Sequence, residues 1–152
     1  QPLGAQAGDE LRLVTSNSMG PGNAPEGAAG MVETNVNIAA VTMNGDIITS
    51  CVIDAVQAQV SFDGQGQILT DLSAPVLSKN DRGADYGMGA ISSIGREWNE
   101  QAAAFAAYVT GKTLDQVAGI AVDEATKPAE ADLASSVTIS IGGFQALLEK
   151  LR

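Results

Sequence analysis

The segment Asp132-Leu133-Ala134-Ser135-Ser136-Val137-Thr138 gathers a carboxylate, two serine hydroxyls and a threonine hydroxyl just ahead of a stretch with helical apolar spacing. Such a cluster has two physical uses. Ser and Asp cap helices by accepting from backbone N–H groups that have no partner in the first turn. A helix start is also an anion site, where those same N–H groups and the positive end of the helix dipole meet a phosphate.

Other chemistry-bearing residues are sparse. Asp81 and Asp85 flank Arg82 in a glycine-containing turn and could work as acid and base if a cleft held them together; the competing account is a solvated turn. Asp63, Gln65, Gln67 and Asp71 alternate around Gly64 and Gly66 as in a calcium loop, but the terminal Glu and the further carboxylates of that signature are missing, which favours a solvated hairpin tip. The chain has no histidine. That removes the commonest general base and metal ligand, and with them most triad-type hydrolase chemistry. The single Cys51 has no internal disulfide partner, and its place in an alternating run points to packing.

Eighteen acidic against eight basic residues leave a net charge of −10, which repels phosphate backbones and anionic lipid and argues against nucleic acid as a partner. No run approaches the ~18 apolar residues of a membrane span. At 152 residues and 45% apolar composition, one core suffices for one domain. Aromatic residues make up only 4%, so that core rests on aliphatic side chains. The chain opens at Gln1 without a methionine or a leader pattern, which fits a trimmed mature form.

The elements that must position these residues follow from periodicity. Leu11–Val14 reads as a short strand, and Asn17–Gly30, rich in Gly and Pro, as a loop, so that residues 1–32 form an N-terminal strand and loop ahead of an α+β body at 33–152. From Glu33 the period is two. Asn44-Gly45 predicts a type I′ hairpin between Val36–Thr42 and Ile47–Ala55, and Asp63-Gly64 predicts a second one, giving an antiparallel meander of about four strands over residues 33 to 73. After Gly89 the period becomes helical. Ile91, Ile94, Trp98, Ala102, Phe105 and Val109 predict a long helix that ends at Gly111, with Trp98 and Phe105 in the core. Thr113-Leu114-Asp115-Gln116 is a capping box that starts a shorter helix. Val137, Ile141, Phe144, Leu148 and Leu151 predict a last helix from Val137 to Leu151, with Gly142-Gly143 weakening its early part.

Asp132, Ser135, Ser136 and Thr138 resemble the attachment motif of the FMN-binding domains of the sodium-translocating NADH:quinone oxidoreductase, related electron-transport complexes and exported lipoproteins. That motif is Asp, two variable residues, Ser or Thr, Gly or Ser, Ala, then Thr; the departure is Val137 in place of Ala. The Val41–Ile53 hairpin and the Gly83–Gly89 loop are similar to further parts of the family, and the likeness spans roughly Val36 to Leu151. Tyr86-Gly87-Met88, Ser93–Trp98 and Ser135–Ser140 also resemble small secreted proteins of anaerobic Gram-positive bacteria.

The resemblance implies an α+β fold of antiparallel strands packed against two to three helices, and an extracellular or cell-surface location. It implies FMN joined to Thr138 by a flavin transferase through a phosphoester, Asp132 assisting, Ser135 and Ser136 at the phosphate, Tyr86 and Met88 along the flavin ring, and a redox partner. Two functions follow. One is a binding or assembly module that keeps the fold without the flavin, as Val137 and the scarcity of aromatics favour, with sheet edges available for self-association. The other is an exported electron carrier with FMN on Thr138.

Overall fold

The computed structural model describes residues 4–152 and is an α+β arrangement of one antiparallel three-stranded sheet and five α-helices. The strands β1 (Glu10–Pro21), β2 (Gly30–Asn44) and β3 (Ile47–Phe62) lie in the order β1-β2-β3. β1 pairs with β2 from Glu10↔Met43 to Pro21↔Val32, so Asn17–Pro21 and Gly30 of the expected Asn17–Gly30 loop are strand and residues 22–29 connect the two. Asn17, Ser18 and Gly20 have weak strand preference by themselves, and the ladder to β2 holds them extended.

Two details correct the expected hairpins. Asn44 pairs with Ile47, so the turn residues are Gly45 and Asp46 rather than Asn44 and Gly45. Positive φ falls on Gly45 alone, at +62°, which is the glycine-first requirement of a type II′ turn and not the doubled requirement of type I′. No fourth strand follows β3 within residues 63–73, where a single bridge, Phe62↔Ile68, is formed. Asp63 Oδ1 accepts from the N–H groups of Gln65 and Gln67 at 2.9 and 2.8 Å, closing a tight tip instead of a ladder.

A bulge between Thr42 and Met43 re-phases the pleat. Ile48 lies on one side of the irregularity and Ile53 and Ala55 on the other, and all three are buried although their spacing is odd. The extra residue lets both segments aim at one core.

The helices are α1 (Lys79–Arg82), α2 (Trp98–Val109), α3 (Leu114–Ala118), α4 (Ala131–Ala134) and α5 (Gly142–Glu149), with a 3₁₀ turn at Gly83–Tyr86. The long helix starts at Trp98, not near Ile91. Gly95 adopts φ +66° and Glu97 forms a capping box with Glu100, so the chain turns just before the helix and leaves Ile91 86% exposed. Trp98, Ala102, Phe105 and Val109 form the buried stripe as expected. The Thr113 capping box starts α3 as expected.

The last helix begins at Gly142, and Val137–Ile141 is irregular. Val137 and Ile141 are nevertheless fully buried with Phe144, Leu148 and Leu151. The spacing therefore identified the core-facing residues, while the helix that this spacing implied is shorter. A Cβ on Gly142 would stand 2.9 Å from Thr126 Oγ1, so a glycine is needed where α5 starts against that residue.

Helices and core residues cover one face of the sheet, around Val14, Ala39, Val41, Ile53 and Ala55. Farther out the β-arm changes character. Glu33 accepts from Asn35, Gln57 and Gln59 on the helix side, and within Glu10–Ile38 and Val56–Phe62 only Ser61 is buried.

Candidate functional site

Gln101 organises the region that contains Thr138. It lies on the buried stripe of α2 and is completely buried. Its Oε1 accepts from the backbone N–H groups of Thr138 (2.8 Å) and Ile139 (3.2 Å) and from the Thr138 hydroxyl (3.3 Å). Its Nε2 donates to the Arg96 carbonyl at 3.1 Å and lies 3.4 Å from Ser92 Oγ and 3.9 Å from Met88 Sδ. One carboxamide thus joins the glycine-rich loop to the segment after α4. The same loop is held from its other side by Glu97, whose two carboxylate oxygens accept from Met88 N and Gly89 N, both at 2.9 Å.

Met88 and Thr138 are therefore brought together through Gln101. Tyr86 sits apart, half-buried under Lys79 and Arg82, whose cationic ends lie 4.9 and 5.2 Å from its ring centroid. Asp132 is exposed in the four-residue α4. The Ser135 hydroxyl donates to the Asp132 carbonyl and the Ser136 hydroxyl to the Leu133 carbonyl, so both serines close their own turn. The irregular Val137–Ile141 segment gives Thr138 no place at a helix start. A flavin phosphate needs converging donors, and here the Thr138 and Ile139 N–H groups already have Gln101 as their acceptor. Val137, the departure from the attachment motif, is a fully buried core residue.

Asp81 in α1 and Asp85 in the 3₁₀ turn that follows are both exposed, with Arg82 donating to the Asp85 carbonyl at 3.3 Å. Cys51 is half-buried, and burial pushes its thiol up to about 12, which leaves almost no thiolate near neutral pH.

Sequence reasoning missed two features. A groove of about 500 Å³ runs between β3 and α2, lined by Cys51, Ile53, Ala103 and Ala106, with the buried Asn99 Oδ1 left without a partner among the described residues. The alanine run of α2 is the signal that could have suggested it, since small side chains leave space beside a strand. The second feature is the sheet face opposite the helices. Leu11, Leu13 and Met19 of β1 and Val52 of β3 are 62–76% exposed on it. Residues of adjoining strands continue its rows, as in Leu13↔Ala40 and Ala40↔Val52. Asp54 is the only charged residue on this face over Leu11–Pro21, Val32–Thr42 and Ser50–Val60. Its Oδ1 accepts from Ala55 N and Asn80 N at the sheet edge.

No family model, no curated protein and no solved structure matches this chain.

Proposed function

We propose that this chain is an extracellular binding or assembly module that keeps an FMN-binding-like fold without its flavin. The observation that carries the reading is the largely apolar sheet face that the helices leave open, with Asp54 its one charged residue, in a chain of net charge −10. Apolar surface of this extent on a soluble domain marks an interaction site. The acceptor role of Gln101 toward the Thr138 and Ile139 N–H groups supports the flavin-free part of the proposal.

Co-expression with an exported flavin transferase tests it, read by intact mass and by flavin fluorescence after denaturation. The expected result is an unmodified, colourless protein. A mass increase of one dehydrated FMN that disappears in Thr138→Ala would overturn the module reading in favour of the electron carrier.

A further inference from the structure

We infer that the open sheet face is a homodimer interface, in which a second copy packs face to face about a two-fold axis running along β2. Self-pairing of this kind rests on the binding-module reading of the same face and adds its partner and register.

Size sorting between the two outer strands points to a second copy. β1 places long side chains outward at Leu11, Leu13 and Met19. The residues of β3 in the corresponding rows are shorter: Ser50, Val52 and Ala58. A two-fold along β2 lays β1 of one copy over β3 of the other and keeps each row in place. Leu13 then meets Val52 of the second copy, and Met19 meets its Ala58. Long side chains fall on short ones in both halves, as interdigitating sheet faces require. A two-fold across the strands would instead set β1 on β1 and leave the short residues of β3 facing one another.

Charge and area agree. Every unit of the chain's net −10 opposes association with an identical chain, and the face carries none of it except Asp54, whose carboxylate is turned to the edge. In the proposed register Asp54 lies opposite Thr15, a hydroxyl, rather than another acid. Three strands about 4.8 Å apart and about 11 residues long at ~3.4 Å each give a plan area of roughly 540 Å², and the corrugated accessible surface exceeds that. This approaches the roughly 800 Å² per partner of a standard stable interface. The sheet edges are less open: β1 receives Lys150 Nζ at the Thr15 carbonyl, and β3 is met by Gly111, Asn80 and Leu69.

Sedimentation equilibrium of the full chain from about 1 to 200 µM tests the pairing. The wild type is expected to approach twice its 15.5 kDa mass. Leu13→Lys and Val52→Asp, both at exposed positions, are each expected to remain monomeric with unchanged circular dichroism. An equimolar mixture of the two variants is expected to recover dimer, because the ammonium introduced in β1 of one chain then faces the carboxylate introduced in β3 of the other across the axis. A wild type that stays monomeric throughout overturns the inference, as does a dimer that both single variants leave intact. Single variants that dissociate but do not recover on mixing overturn the two-fold along β2. A flavin-free monomer ends self-pairing and leaves the module reading standing, whereas flavin on Thr138 ends that reading whatever the mass.

Discussion

Replacing Gln101 by Leu removes a hydrogen-bonding carboxamide while keeping nearly the same volume, and so isolates what that group does. Three interactions are lost at Oε1 and one clear one at Nε2. The Thr138 and Ile139 N–H groups are part-buried and the Arg96 carbonyl lies against a fully buried side chain, so water replaces only some of the lost partners. An unsatisfied buried group costs about 1–3 kcal/mol. Two backbone donors and one acceptor, partly resolvated, give a destabilisation of about 3 kcal/mol, or roughly 6–12 °C in Tm for a domain of this size. Gln101→Ala adds a cavity and should cost more, by about 1–2 kcal/mol. Urea unfolding gives the energies, and amide exchange locates them: Thr138 and Ile139 should lose protection in both variants while the centre of β2 keeps it. A loss below 1 kcal/mol in Gln101→Leu, or unchanged exchange at Thr138 and Ile139, would refute the assignment of Gln101 as the joint between the two loops.

Trp98→Ala should cost about 3–5 kcal/mol by denaturant unfolding, since the indole is 4% exposed and stands edge-on to Phe144 at 5.9 Å. Val137→Ala should destabilise by about 2 kcal/mol because the side chain is fully buried, and equal stability would place it outside the core. Cys51 should react with iodoacetamide far more slowly than free cysteine at pH 8, given a thiol pushed up to about 12, and should become fully reactive in urea. Hydrogen bonds from Asn35, Gln57 and Gln59 hold the Glu33 carboxyl below its ordinary 4.5, and the Tyr108 hydroxyl and Ala121 N–H do the same for Glu130. Their stabilisation is present above pH 4.5 and is lost as the pH falls through the lowered values. Acid titration of Tm should therefore shift to shallower loss in Glu33→Gln.

The fold was legible where local physics acts alone. Alternation located β2 and β3, the Thr113 capping box located α3, and helical spacing found the buried face around Trp98, Phe105, Phe144 and Leu148. Boundaries failed where partners decide. The outer half of β1 is extended because β2 pairs with it, and the ladder is a long-range property that weakly strand-forming residues do not announce. At Val137–Ile141 a period of four residues was satisfied by an irregular segment whose side chains still point inward. Local sequence around the hydroxyl cluster does not show the acceptor for the Thr138 N–H, because that acceptor, Gln101, comes from 37 residues away. An amide on an otherwise apolar helix stripe was the available clue.

The β-arm gives the sheet the mechanics of a cantilever. Near the turn at Gly45 the sheet is clamped by aliphatic packing, whereas past Ala55 its helix side rests on carboxamides and the Glu33 carboxylate. Stiffness should therefore fall along the arm, with slow amide exchange near Val41 and Ile53 giving way to fast exchange near Val32 and Val60. The open apolar face runs the full length of both halves. Whatever seats on it splints the free end to the clamped end, so occupancy of the face would be felt as rigidity at Pro21, Gly30 and Phe62, well beyond the core residues Val14, Ala39 and Ala55 on the same strands.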